Sequence, residues 1–192
     1  MKKILLFCFT FLCLNWAYAH EHPTLAIGAT APDFKLKGVD GKMYDLAAFA
    51  KSKILVIVFT CNHCPTAQAY EERLKQLTTD YKSKGVQVVA ISPNDPRSVR
   101  LDELGYSDLG DSYAEMVQRA KDKQYNFPYL FDGETQEVAN KYGPVATPHV
   151  FIFDKKRKLQ YSGRIDDVKI LKKRPKQMIP AMHLKKCWQV NL

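Results

Sequence analysis

Long apolar runs, acidic residues near the C-terminus and a second pair of closely spaced cysteines are what this 192-residue sequence lacks. No apolar stretch in the body reaches the roughly 18 residues of a spanning helix, which excludes a membrane-spanning body. No acid follows Asp167: residues 168–192 hold 7 basic residues and none of the opposite sign. Residues 20–167 hold 20 basic and 20 acidic residues, so the formal charge of +9 sits at the two ends of a neutral body. A neutral body without a basic-aromatic stripe excludes nucleic acid as a partner. The composition, 46% apolar, 11% aromatic and 26% charged, is that of a globular domain and excludes a collagen, a coiled-coil rod or a disordered chain. No internal repeat or low-complexity segment is present.

Cysteine is sparse, with 5 in the chain. Lys2 and Lys3, an apolar run over 4–14 and Ala17-Tyr18-Ala19 read as a secretory signal peptide over 1–19, cut before His20. Bulky Leu12 before Cys13 argues against lipid attachment. Cys8 and Cys13 leave with the signal; Cys61, Cys64 and Cys187 stay. The expected location is periplasmic or secreted, with no stable membrane insertion after cleavage. An oxidising compartment makes a thiol pair structural or redox-active.

After a leader over 20–26, the body spans 27–167. Residues 31–36 alternate and lead to Asp40-Gly41, a hairpin signal, and 45–50 read as a helical turn. Residues 54–59 are continuously apolar and β-branched, as in a central strand buried on both faces. Pro65 suits the first turn of a helix over 65–84 that Gly85 closes. A second buried strand covers 86–91, followed by a loop at 93–96 in which Asn94 and Asp95 read as turn residues. Residues 97–111 are polar and read as an exposed insertion. A helix over 113–123, a short strand over 129–131 and a helix over 135–142 follow. Strands at 150–153 and 159–165 form a hairpin around the basic turn 155–158, and Arg164 and Asp166 are placed to pair on the surface. Phe34, Phe59, Phe127, Tyr129, Phe131, Phe151 and Phe153 are the candidate aromatic core. The order predicts an α/β fold, a mixed three-layer sandwich.

Cys61 and Cys64 stand three apart where the first central strand gives way to a helix. A sulfur at a helix N-terminus meets unpaired N–H groups and the helix dipole, which stabilise a thiolate. The second sulfur lies within disulfide reach. This predicts Cys61 as the exposed nucleophile and Cys64 as the resolving thiol, with His63 between them as a cation that favours the thiolate. A zinc site would need two further ligands at matching spacing, and no second C-x-x-C or H-x-x-x-H exists. Thr147-Pro148 opens the later hairpin, a position suited to a cis proline.

Over about 27–167 the chain resembles the thioredoxin-like superfamily, on the redoxin branch named for alkyl hydroperoxide reductase and thiol-specific antioxidant proteins. The matching stretches are A-P-D-F at 31–34, F-T-C-N-H-C-P at 59–65, S-P-N-D-P at 92–96, F-P-Y-L-F-D at 127–132, A-T-P-H-V-F-I-F-D at 146–154 and G-R-I-D-D at 163–167. The resemblance implies a thioredoxin-like sandwich with an N-terminal hairpin, and a cis-proline loop that brings Thr147 and Pro148 beside Cys61. The chain departs from the peroxiredoxin pattern P-x-x-x-T-x-x-C: aligned on Cys64, it has Cys61 in place of Thr and Ile57 in place of Pro. That departure favours dithiol exchange over peroxide reduction.

In the resembled family, R-I-D-D leads into a segment similar to V-E-N-P-K-K-T-P-K-T-N-D-T-R-N-A-L and a final helix. Back-translating 168–192 with free synonymous codons and inserting one G after the Val168 codon gives that segment and continues E-E-M-L-A-G-K-P. The expectation is that the tail is read in a shifted frame: Pro175 and Pro180 interrupt it, an irregular tail replaces the helix, and Cys187 is accidental.

The function expected is an exported thiol–disulfide oxidoreductase using a Cys61–Cys64 disulfide couple, supported by His63, Thr147 and Pro148, with thiol or disulfide proteins as partners and no cofactor. The alternative is a peroxiredoxin-like thiol peroxidase with antioxidant activity, using peroxide and a thiol reductant. A third reading is copper binding by Cys61, Cys64 and His149, since thiolates suit Cu(I), with a His20-Glu21-His22 start suited to Cu(II).

Overall fold

The computed structural model describes residues 22–98, 110–166 and Leu184. At its N-terminal edge β1 (Lys35–Gly38) and β2 (Met43–Asp45) pair antiparallel, with Leu36 opposite Tyr44 across the Asp40-Gly41 turn. A 3-10 turn over Leu46–Phe49 follows, and the Asp45 carboxylate accepts the Ala48 N–H at 2.8 Å to cap it.

β3 (Ile54–Phe59) is buried at every position, as its unbroken apolar run requires. β4 (Val86–Ser92) lies parallel to it, with Val56 opposite Val88. Parallel neighbours need a crossover, and α1 (Pro65–Lys82) supplies it. Then come α2 (Tyr113–Asp122), β5 (Tyr129–Phe131), α3 (Glu137–Tyr142), β6 (His149–Phe153) and β7 (Leu159–Gly163). One sheet takes the order β2-β1-β5-β4-β3-β6-β7. Its centre, β3 to β5, is parallel, and both flanks are antiparallel. This is the mixed three-layer architecture that the sequence predicts.

The period of two along β3 divides the core. Ile54, Val56 and Val58 face Leu74 and Leu77 of α1 and Met116 of α2. Leu55, Ile57 and Phe59 face Val138 and Tyr142 of α3, with Phe34 and Phe49 in the same cluster. Tyr142 makes edge contacts with Phe151 and Phe153, which closes that layer. Gly143 ends α3 at φ +62°, and a Cβ there would sit 2.4 Å from the Pro23 carbonyl oxygen, so the site needs glycine twice over.

Two details differ from the sequence reading. Asp166 is buried and pairs with Arg73 and the Tyr70 hydroxyl on α1, not with Arg164 on the surface. Asp111, placed in an exposed insertion, is 1% exposed. The insertion's residues 99–109, the signal peptide, His20, Glu21 and Cys187 lie outside the described residues. So does the tail over 168–192, apart from Leu184, which is helical and fully buried against the α1 layer. The shifted reading of the tail also places leucine at 184, so both frames offer the same apolar residue to that face. Among the described residues no helix is long and apolar enough to cross a membrane.

Leu55 is wholly buried at the centre of the sheet, whereas Met43 is 55% exposed on β2. Leu55→Ala is expected to lose about 2–5 kcal/mol of stability. Met43→Ala should stay within about 0.5 kcal/mol. Urea unfolding of the two variants measures both.

Candidate active site

The buried run of β3 ends at Phe59, and the Thr60 N–H still reaches the Ile91 carbonyl of β4 at 2.9 Å. The chain then bends through Cys61, Asn62 and His63 to Cys64, the N-cap of α1, with Pro65 as the first helical residue. Pro65 fits there because its missing N–H would have had no helical partner. The Gln68 amide closes the bend by donating to the Asn62 carbonyl at 2.7 Å.

The two sulfurs are both thiols in this structure, and they differ in exposure. Cys61 is 3% exposed, while Cys64 is half-buried. This reverses the expectation that Cys61 is the outer sulfur. The reason is the helix start: α1 begins at Pro65, so Cys64 and not Cys61 meets the helix N-terminus.

Electrostatics follow the same division. The interaction of the two sulfurs with each other is the largest influence, favouring the protonated form of Cys61 and the thiolate form of Cys64. Cys61 is therefore pushed far up, with burial and the negative charge of Asp111 adding to the effect. Cys64 is pulled well below the ordinary thiol range: the neighbouring Cys61 has the largest effect, burial opposes it, and the backbone N–H groups of Ala67 and Thr66 at the head of α1 add to the lowering.

The peptide bond Thr147-Pro148 is cis, as the sequence predicts, and it brings Thr147 against both cysteines. Thr147 Oγ1 lies 3.2 Å from Cys61 Sγ, and the Thr147 carbonyl oxygen lies 3.8 Å from Cys64 Sγ. A cleft of about 420 Å³ flanks this corner, lined by Asn94, Gln136, Asn140, Val145 and Thr147. Neither sulfur lines it; it adjoins the reacting atoms without containing them.

Behind the bend stands a carboxylate that sequence reasoning missed. Asp111 Oδ1 accepts the Asn62 N–H at 2.7 Å and the His63 N–H at 3.3 Å. Its Oδ2 lies 2.5 Å from His63 Nδ1 and accepts the Asn94 amide at 2.6 Å. Asn62, itself fully buried, donates to the Gly110 carbonyl at 2.8 Å and accepts the Tyr129 hydroxyl at 3.2 Å. Asn94 is thus a member of the site and not only a turn residue. Gly133 allows its loop to come close, since a Cβ there would lie 2.1 Å from the Asn94 carbonyl oxygen. The local signal for Asp111 is Ser112-x-x-Glu115, the capping box that starts α2 and fixes the residue before it.

The copper set separates. His149 pairs with Phe59 in the β3–β6 register, stacks on Phe151 at 4.7 Å and is buried, which lowers its affinity for a proton. Its Nδ1 accepts the Val145 N–H at 3.2 Å and its Nε2 lies 2.9 Å from Ser162 Oγ. Both ring nitrogens are engaged away from the sulfurs, so His149 does not join Cys61 and Cys64. A donor atom from each of Cys61, His63 and Asp111 does fall within 4.8 Å of the others. The 2.5 Å contact between His63 and Asp111, however, leaves no space for a cation between those two atoms.

The profile of the AhpC/TSA family matches residues 27–162. The chain is 24% identical over 140 residues to the thiol-disulfide oxidoreductase ResA of Geobacillus thermodenitrificans, covering 73% of this chain and 70% of that protein. Two crystal structures superpose well on it. An uncharacterized conserved protein from Geobacillus kaustophilus is 39% identical with a TM-score of 0.66, over 81% of this chain and 75% of that one. A hypothetical protein from Sinorhizobium meliloti 1021 is 33% identical with a TM-score of 0.67, over 81% and 76%.

Alkylation of the reduced protein should therefore mark Cys64 before Cys61. Its rate should rise with a midpoint below the roughly 8.5 of a free thiol. In Cys61→Ala the midpoint should move up, because the neighbour with the largest lowering effect on Cys64 is gone. Peptide mass mapping after brief alkylation checks the order, and labelling of Cys61 first would contradict it.

Proposed function

The chain belongs to the AhpC/TSA family, a redoxin of thioredoxin-like fold and an oxidoreductase, and from that premise we propose that it is an exported thiol–disulfide oxidoreductase working through a Cys61–Cys64 couple. The observation that carries this reading is the pairing of a half-buried, thiolate-favoured sulfur at the head of α1 with a buried thiol beside it. Cys64 attacks one sulfur of a substrate disulfide; that S–S bond breaks, a mixed disulfide forms and one substrate thiolate leaves. Cys61, once deprotonated, attacks Cys64 Sγ; the Cys61–Cys64 disulfide forms and the second substrate thiolate leaves. Two electrons pass to the substrate, and the reverse sequence oxidises a dithiol. Thiol or disulfide proteins are the partners. Thr147 and the cis Pro148 shape the face they meet, and His63 is the polar neighbour between the sulfurs. The signal-like segment over 1–19 supports export to the periplasm or medium.

Peroxide reduction is the second reading, and one observation favours it. Cys64 occupies the position of the reactive cysteine in P-x-x-x-T-x-x-C, where a stabilised thiolate would be oxidised to a sulfenate by a peroxide with release of water or alcohol. Cys61 would then condense with it to the same disulfide. Cys61 in place of the threonine and Ile57 in place of the proline remove two parts of that pattern.

Equilibration of the mature protein with glutathione, beside Cys61→Ser and Cys64→Ser, tests the choice. A reversible two-electron couple lost in both variants, with slow peroxide consumption, is the expected result. The stabilised Cys64 thiolate favours the reduced form, so the potential should lie above the roughly −270 mV of thioredoxin. Rapid peroxide consumption that survives in Cys61→Ser would instead establish the peroxidase.

A further inference from the structure

We infer that His149 is a positioning residue for the exchange chemistry: by holding the Val145 N–H, its ring fixes Thr147 against both sulfurs. This rests on the thiol–disulfide reading above. Thr147 is the loop residue that meets the couple, with Oγ1 3.2 Å from Cys61 Sγ and its carbonyl oxygen 3.8 Å from Cys64 Sγ.

The loop that carries Thr147 needs an outside anchor. Between Gly143, which ends α3, and His149, which opens β6, no turn is closed by the loop's own backbone. Pro144 has no N–H to offer. Among the described residues, Val145 supplies the one amide of 144–147 with a partner, and that partner is His149 Nδ1 at 3.2 Å. The two residues are four apart, so their bond closes a ring around Ala146, Thr147 and Pro148. Thr24 Oγ1 holds the Gly143 carbonyl at 2.8 Å, but that is the far end of the loop, ahead of Pro144.

The anchor itself is fixed on every side. Val150, Phe151, Ile152 and Phe153 fill the rest of β6 with apolar side chains, and an imidazole buried among them must pair both its nitrogens. Nδ1 accepts the Val145 N–H, so Nε2 carries the ring proton and donates to Ser162 Oγ on β7 at 2.9 Å. Burial disfavours a second ring proton, which keeps Nδ1 an acceptor. The ring lies nearly flat on Phe151, and the His149 backbone is registered opposite Phe59 on β3. Phe59 stands two residues before Cys61. One strand pair therefore sets both halves of the site: Cys61 through Thr60, and Thr147 through His149 and Val145. Beside the larger effect of each sulfur on the other, Thr147 favours the thiolate at both cysteines. A loosened Thr147 costs Cys64 and Cys61 together.

Asparagine and glutamine separate the two ring nitrogens. His149→Asn keeps an acceptor near the place of Nδ1, whereas His149→Gln keeps a donor near the place of Nε2 and leaves Val145 without a partner. Mixing the reduced mature chain with dithiobis(nitrobenzoate) frees one coloured thiolate when Cys64 attacks and a second when Cys61 resolves. In His149→Gln the second release should slow about tenfold, the scale of one lost hydrogen bond, and the pH midpoint of the first release should move up. In His149→Asn and in Ser162→Ala the second release should stay within about twofold of the unmodified protein, with the midpoint in place. In a Thr147→Val background, His149→Gln should add less than about twofold, because its effect passes through Thr147.

A ring that serves the fold alone would lower the unfolding midpoint and treat the two nitrogens alike. Equal rates in the asparagine and glutamine variants, or a glutamine effect that is undiminished in Thr147→Val, would overturn the inference. If His149→Gln does not fold, His149→Met takes its place, since it removes the acceptor and buries no unpaired polar atom. A single release from the unmodified protein would overturn the exchange reading itself, and the inference with it.

Discussion

Between Phe59 and Pro65 the chain must pass from a strand buried on both faces to a helix whose first N–H groups have no helical partner. Everything at the site follows from how that bend is satisfied. β3 cannot continue, because α1 has to cross back to place β4 parallel beside it. The orphan N–H groups divide between two acceptors. Those of Thr66 and Ala67, at the head of α1, favour a thiolate at Cys64, and those of Asn62 and His63 donate to the Asp111 carboxylate. One set stabilises a reactive anion and the other ties the bend to the loop ahead of α2. The Thr147 corner hangs from β6, whose register with β3 sets Phe59 opposite His149, two residues after Thr147.

From this comes a division of labour between two chemically identical side chains. Cys64 is favoured as a thiolate by Cys61 and by the start of α1, while Cys61 is disfavoured by Cys64, by burial and by a neighbouring negative charge. These act in opposite directions on the two thiols, so the pair holds one proton firmly and releases the other easily. A coupled pair of this kind is poised to react once and then to finish the reaction internally. The cleft beside Thr147 carries amides and small apolar side chains but no charged residue except what histidine contributes, which suits contact with peptide groups more than with an ionic ligand.

The parts of the molecule that repeat with a period were readable in the sequence. The run at 54–59 marks a doubly buried strand. Pro65 and the three-to-four spacing of Leu74, Leu77 and Tyr81 mark α1, and Thr147-Pro148 marks the cis corner. What was not readable depends on single residues or on partners far along the chain. The order of the two sulfurs turns on the helix beginning at Pro65, and element boundaries are the least determined feature of a local pattern. Asp111 lies 48 residues from His63, inside a polar stretch that composition alone assigns to the surface. Asp166 was misplaced for the same reason, because its partner Arg73 is on α1. His149 follows Pro148 in sequence, yet strand pleating turns it toward Ser162 and Phe151 instead of the sulfurs.

The exchange and peroxidase readings share their first chemical requirement, an accessible thiolate at a helix N-terminus, and part only at the next atom. Where the peroxidase pattern has a threonine hydroxyl, this chain has Cys61, which can donate a hydrogen bond as a hydroxyl does but can also form a bond to Cys64. A hydroxyl in that position orients a bound peroxide; a thiol there captures whatever Cys64 has joined, be it a substrate sulfur or an oxygen. The substitution therefore trades the positioning of one oxidant for a general exit from any oxidised state of Cys64. Beside Cys61 the site holds a buried carboxylate, Asp111, and a partly exposed imidazole, His63. In the exchange reading proposed above, the intramolecular Cys61–Cys64 disulfide stands at the centre of the chemistry.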